Sequence, residues 1–176
     1  MIQQIETLSN IASEFSYFAK MPVGIRQETD IAELLASCIS FYEENEGDVK
    51  IEFENLLETP TAMVILDKDQ ALRVFNNVIR NAIQSIPSDR IGEIYIELKE
   101  TESKYILSFQ DNGAGISEEI RDKIFSPNFT TKNSGMGLGL AMTKTILENM
   151  DGSIYFDTVL EEGTTFFIEL KKINTI

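Results

Sequence analysis

The amino-acid sequence predicts an α+β domain, and three features carry that prediction. Segments with apolar residues every three or four positions, as over 30–44 and 68–86, read as amphipathic helices. Two pairs of alternating segments, 92–99 with 104–110 and 152–157 with 164–170, are each separated by a short polar turn and read as strands. The 176 residues are 43% hydrophobic and 25% charged, the balance of one soluble globular domain. A chain of this size buries roughly 70% of its unfolded surface, so it needs neither disulfide nor metal to hold a core.

Taken in order, Ile5, Leu8, Ala12, Phe15 and Ala19 alternate spacings of three and four, a heptad seam widened by Ile2, Ile11 and Phe18. This predicts a helix over 1–20, stopped by Met21-Pro22. It is either packed on its own domain or the tail of a helical hairpin. Gly24–Glu28 is extended. Asp30 is the expected N-cap, with Glu33 as its capping-box partner, of a helix to about Glu44. Ile31, Leu34, Leu35, Cys38, Ile39 and Tyr42 form its apolar face. Val49–Glu54 and Ala62–Leu66 are the next strands. Asp67 or Asp69 caps a helix over 68–86, ended by Pro87. After the first strand pair, Ser117-Glu118-Glu119 marks a short helix to about Phe125. Residues 126–136 are polar, glycine-bearing and weakly patterned, as loops that cover ligands are. Ala141–Met150 is the last helix, with Leu140, Ile146, Leu147 and Met150 apolar.

Several chemistries are excluded. A formal charge of −14 repels phosphate backbones and argues against nucleic acid as a partner. Single nucleotides stay possible, because metal ions and backbone dipoles can neutralise their phosphates. The chain has one cysteine and no histidine, which removes the ordinary zinc sites and any Cys–His or Ser–His pair. Cys38 reads as a small core residue. No run of 18 apolar residues is present.

Three stretches suggest a site. Asp111-Asn-Gly-Ala-Gly115-Ile116 places a carboxylate at a strand end beside two glycines, which admit positive φ and close approach. That suits a flat, donating ligand edge such as the adenine amine; Asp-Asn-Gly is equally an ordinary turn. Asn77 and Asn81 are four apart on one helix face beside the apolar stripe. Asparagine is a mediocre helix former, so the pair is either satisfied surface amides or oxygen ligands for a hard cation such as Mg²⁺. Gly135-Met136-Gly137-Leu138-Gly139-Leu140 precedes a helix, where N–H groups and the dipole favour phosphate. These glycines do not follow a strand directly, which disfavours a dinucleotide fold.

The order of these stretches is more specific than any one of them. Asn77-Val-Ile-Arg-Asn81-Ala82 precedes Asp111–Gly115, then Phe125-Ser-Pro-Asn-Phe129, then Gly135–Gly139, then Gly163-Thr164. This series strongly resembles the N, G1, F, G2 and G3 boxes of the ATP-binding domain of sensor histidine kinases, in the GHKL superfamily. The phrase Phe129-Thr-Thr-Lys132, and the phrase from Glu14 to Pro22, resemble the nitrogen-regulation branch. The resemblance implies a two-layer α/β sandwich of the Bergerat type, helices on one face of a mixed, mostly antiparallel sheet. It implies that residues 23–176 form the catalytic domain and that 1–22 end the second helix of a dimerisation and phosphoacceptor domain.

The resemblance also implies roles. Asn81 would ligand Mg²⁺ with help from Asn77. Asp111 would accept from the adenine amine, Gly113, Gly115 and Ile116 would form the pocket beside it, and Thr164 would support adenine through water. Gly135, Met136, Gly137, Leu138, Gly139 and Leu140 would line the phosphates, with Thr131 and Lys132 in the lid and Lys132 its phosphate contact. Phe125 and Phe129 would pack the lid. The implied partners are ATP, a dimerisation domain in a homodimeric protein, and a response regulator receiver domain. The implied location is cytoplasmic, with membrane anchoring possible for a longer protein. Two departures matter. Gln84 stands where such kinases often have lysine, and Asn77 stands where the ATP hydrolases of the superfamily have glutamate. A neutral amide is a poor base, which favours transfer over hydrolysis. With no histidine the chain lacks its own acceptor and no catalytic residue is assigned, so it is expected to be part of a larger kinase. An anti-sigma-factor-like serine kinase that binds a regulatory partner is the rival reading.

Overall fold

The structure, a computed structural model, describes Ser16 and residues 24–45, 49–130 and 137–173. The heptad segment over 1–20 and the boundary at residue 22 lie outside these residues, Ser16 aside. From Gln27 the elements run β1 (Gln27–Asp30), α1 (Ile31–Asn45), β2 (Val49–Asn55), β3 (Met63–Leu66) and α2 (Lys68–Ser85). They continue with β4 (Gly92–Glu100), β5 (Lys104–Asp111), a 3₁₀ turn (Glu118–Lys123), α3 (Gly139–Asn149), β6 (Ser153–Val159) and β7 (Gly163–Lys171).

Five strands make the main sheet in the order β2-β4-β5-β7-β6. Only β2 with β4 is parallel, and the crossover between them contains α2. The other pairs are antiparallel, as expected. Burial alternates along the strands. Ile94, Ile96 and Leu98 of β4, Leu107 and Phe109 of β5, and Phe166, Ile168 and Leu170 of β7 are buried, while Glu93, Glu97 and Glu169 between them are not. One face is therefore core and the other meets solvent. Val74, Phe75, Val78, Ile79 and Ala82 of α2 and Ile146 and Leu147 of α3 fill the core face. The rings of Phe75 and Phe109 lie 6.3 Å apart and join helix to sheet. This is the two-layer sandwich the motifs implied.

Local chemistry sets the ends. Asp67 is the cap of α2, its side chain accepting from Gln70 N at 2.8 Å. Asp30 caps α1 through Ala32 N at 3.0 Å, and the same oxygen accepts from Ala62 N at 2.9 Å. One carboxylate thus starts the helix and ties it to the approach to β3. There β1 and β3 form a separate antiparallel ribbon, Thr29 opposite Val64.

Several boundaries differ from expectation; β6 runs on to Val159 rather than ending at 157, and two differences have a clear physical reason. The segment after Ser117 is a six-residue 3₁₀ turn with no buried residue, not an α-helix to Phe125. Only Ile120 and Ile124 could make an apolar stripe there, and short pieces settle into 3₁₀ form. The last helix begins at Gly139 rather than Ala141, because Leu138, with its side chain buried, already has αR backbone.

Cys38 is a core residue, as expected, 5% exposed, with Sγ 3.6 Å from Asn76 Oδ1. Burial pushes its thiol up from 9.0 to about 11. Between those values the folded chain keeps a proton that the unfolded chain releases, so this group's contribution to stability declines as pH rises through that window. Native protein at pH 8 should therefore react with a disulfide reagent far more slowly than urea-unfolded protein. Equal rates would show the thiol to be accessible.

Candidate functional site

The Asp111 turn and Gly163-Thr164 meet because β5 and β7 are neighbours. Register places Asp111, the last residue of β5, opposite Thr164 of β7. Both are 4% exposed. A buried carboxylate needs donors. Asp111 Oδ1 accepts from Gly113 N at 2.8 Å, Thr164 N at 3.2 Å and Ser85 Oγ at 2.9 Å. Turn, β7 and α2 each send one donor to a single oxygen.

The glycines around it are sterically required. A Cβ on Gly113 would lie 1.9 Å from Ser85 Oγ. Gly163 has φ of 134°, and a Cβ there would lie 1.9 Å from the Asp111 carbonyl oxygen. Gly115, at φ 71°, lies against the Val159 carbonyl of the β6–β7 hairpin. The turn is held from both sides: Ala114 N donates to Ser85 O at 3.0 Å, and Glu161 N donates to Ala114 O at 2.8 Å. Ile116 N donates to Thr158 Oγ1 at 2.9 Å, and that hydroxyl lies 3.0 Å from Thr164 Oγ1.

Asn77 lies across the helical layer. Its Nδ2 donates to the Gly139 carbonyl at 3.3 Å and to Thr143 Oγ1 at 3.4 Å, which ties α2 to the first turn of α3. Asn81 is half-buried one turn along the same helix. Leu138 is 2% exposed and its carbonyl accepts from Met142 N at 2.8 Å; Leu140 is half-buried against the core. Phe125 packs edge-on against Phe156, centroids 6.0 Å apart, with Lys144 Nζ 5.8 Å from its centroid. Phe129 packs against the core, and its backbone crowds Gly137, whose φ is 65° and whose added Cβ would meet it at 2.3 Å. Thr131, Lys132, Gly135 and Met136 lie outside the described residues.

Four participants escaped the sequence reading. Ser85 ends α2, and Thr158 lies in β6 beyond the strand expected over 152–157. Asn112 is a clasp rather than a ligand group, its Oδ1 accepting from Glu93 N at 3.0 Å and its Nδ2 donating to Ile91 O at 2.9 Å. Arg90 Nη1 donates to Asn112 O at 2.7 Å and lies 3.3 Å from Glu161 O, joining the Asp111 turn to the hairpin turn. Their partners are remote in sequence, and only the Asn112 side chain carries an ordinary turn signal.

The arrangement fits a nucleotide. A clamped carboxylate stands at one end and a helix N-terminus at the other. Two amides lie along α2, Asn77 beside that N-terminus. Among the described residues no three His, Cys, Asp or Glu side chains cluster as a metal site. A cavity of about 640 Å³ lies elsewhere, lined by Asp30, Glu33, Cys38, Phe41, Lys68 and Leu72 among others. None of the motif residues lines it, so the chemistry rather than the concavity locates the site.

Two glycines should part company on substitution to alanine. Gly163→Ala, at its positive φ and close contact, should cost about 2–4 kcal/mol of stability. Gly139→Ala, where the nearest atom to a Cβ is Asn77 Oδ1 at 3.4 Å, should be neutral or gain up to about 1 kcal/mol. Denaturant midpoints decide; equal losses would contradict the geometry.

Comparison with known proteins identifies the family. Residues 66–174 match the family described as histidine kinase-, DNA gyrase B-, and HSP90-like ATPase. Sporulation kinase D of Bacillus subtilis (strain 168) is 33% identical over 170 residues, covering 96% of this chain and 33% of that protein. Nitrogen regulation protein NtrY of Azorhizobium caulinodans is 28% identical, covering 97% of this chain and 22% of that one, so the nitrogen-regulation branch is among the relatives. The chain thus spans about a third or less of the length of these two proteins. The catalytic domain of histidine kinase ThkA superposes with a TM-score of 0.74 at 29% identity, over 84% of this chain and 96% of that one. ThkA in complex with response regulator protein TrrA gives 0.79 at 27%, over 98% and 49%. With the buried Asp111 turn, the asparagine helix and the glycine-led α3 all inside the matched residues, the chain belongs to the histidine kinase-, gyrase B- and HSP90-like ATPase family, and its relatives are sensor histidine kinases.

Proposed function

We propose that this domain binds Mg·ATP and presents the γ-phosphate to a histidine on a dimerisation domain, as the kinase part of a two-component system. The observation that carries the proposal is the Asp111 carboxylate, buried and held by three donors at a strand end. Held so, it is an acceptor for the adenine amine, with Gly113, Gly115 and Ile116 around it and Thr164 supporting the base. At the other end the N-terminus of α3, led by Gly137, Leu138 and Gly139, offers backbone donors and a positive dipole to the phosphates. Gly135, Met136, Thr131 and Lys132 would complete the phosphate side.

Asn81, with Asn77, would hold Mg²⁺. When bound, the ion supplies charge neutralisation at the triphosphate. The residues of this chain do the rest by positioning: they grip base and phosphates at two fixed points, which is most of what phosphoryl transfer asks of a protein. Asn77 is a neutral amide and cannot serve as a base toward water, which supports transfer over hydrolysis.

The chain contains no histidine, so the acceptor lies on another segment. We assign residues 1–22 to the end of the second helix of a dimerisation and phosphoacceptor domain, and the full protein to a homodimer that passes phosphate to a response regulator. The domain would work in the cytoplasm, whether or not the full protein is anchored in a membrane. No helix among the described residues is long and apolar enough to cross one. The histidine kinase relatives lend no support to the serine kinase reading.

ATP titrations with and without Mg²⁺ test the assignment. Asp111→Ala should weaken ATP by about 1–3 kcal/mol with or without the ion. Asn81→Ala should remove mainly the Mg²⁺-dependent gain. The purified chain with Mg·ATP should gain no stable phosphate of its own; transfer to a serine on a partner protein would instead favour the rival kinase.

A further inference from the structure

We propose that Ser85 is a positioning residue that sets base selectivity, by fixing the Asp111 carboxylate in the orientation that accepts a purine 6-amine. The inference rests on the nucleotide reading above and adds a residue to it. Gly113 N and Thr164 N reach Asp111 Oδ1 from the turn and from β7 as backbone donors, which a change of side chain at residue 85 does not remove. Ser85 Oγ, at 2.9 Å, adds a side-chain donor from the last residue of α2. Three directions of approach stop the carboxylate plane from turning about its bond to Cβ. An incoming amine then meets an acceptor of fixed direction, and a 6-oxo or 6-hydrogen purine gains nothing from it.

Two features show the surroundings built around this hydroxyl. Gly113 leaves room where a Cβ would fall 1.9 Å from Ser85 Oγ. The backbone of Ser85 is anchored separately, its carbonyl accepting from Ala114 N at 3.0 Å. Loss of the hydroxyl therefore removes a donor while the junction of helix and turn persists. The Ala82 carbonyl, 2.7 Å from Ser85 Oγ, competes for the single hydroxyl proton, so the effect is graded rather than absolute. Ser85 also lies one turn beyond Asn81 on the same helix, so α2 sets both ends of the nucleotide site.

The test compares ATP, GTP and purine riboside 5′-triphosphate, which lacks the amine, on the full chain. Wild type should prefer ATP to purine riboside triphosphate by about tenfold, the size of one hydrogen bond to a charged acceptor. Ser85→Ala should cut that ratio to about threefold or less by weakening ATP, with the analogue within about twofold of wild type. Ser85→Thr should restore the ratio, and Mg²⁺ dependence should be unchanged in both variants. If Ser85→Ala keeps the wild-type ratio while Asp111→Ala loses it, Ser85 has no such role and the adenine contact stands. An equal loss for every nucleotide would mark Ser85 as merely structural and overturn the proposal. If wild type shows no preference, the adenine contact itself is wrong and the proposal falls with it.

Discussion

The site depends on one buried oxygen, Asp111 Oδ1, and on the three donors that reach it. A carboxylate in an apolar layer is tolerable only when it is well supplied with hydrogen bonds. Here the supply comes from three separated parts of the chain, Ser85, Gly113 and Thr164. Meeting that electrostatic need assembles the site. The end of α2 must reach β5, and β7 must lie beside β5 in the register that sets Thr164 opposite Asp111. The contacts that satisfy the carboxylate are thus the same ones that join α2, β5 and β7.

The second constraint is the mixed sheet. The parallel pairing of β2 with β4 needs a crossover, and α2 lies within it, packed on the core face. Its asparagines are therefore held on a rigid element. Asn77 in turn holds the first turn of α3 through the Gly139 carbonyl, so the helix that would face phosphate is fixed to the helix that would face the cation. The β1–β3 ribbon stands apart from this machinery and is fastened by the Asp30 carboxylate.

The readable parts of the site are those where a local pattern and a chemical need coincide. Asp111 was legible because an alternating strand runs straight into Asn112-Gly113. Asn77 and Asn81 stand out in the sequence because asparagine is a poor helix former and the pair lies beside the apolar stripe. Ser85 and Arg90 do not, since a serine ending a helix and an arginine in a polar loop each have a sufficient local explanation. What makes them matter is a partner 26 residues away for Ser85 and 71 for the farthest contact of Arg90. The strands of the main sheet were legible from alternation, but their order was not. Alternation says which face a residue takes and nothing about which strand lies alongside. The short 3₁₀ turn after Ser117 was misread because acidic residues after a serine signal a helix start without saying how long the helix can last.

Strand order has a consequence during synthesis. β7 follows every other strand in sequence yet lies between β5 and β6 in the sheet. A growing chain can lay down β2, β4 and β5 and still expose the flank of β5, with Asp111 lacking the donor from Thr164. Only when residues 163–171 leave the ribosome does the missing strand slot in and complete the carboxylate's surroundings. A chain that stops short of β7 therefore leaves the Asp111 carboxylate without its donor from Thr164.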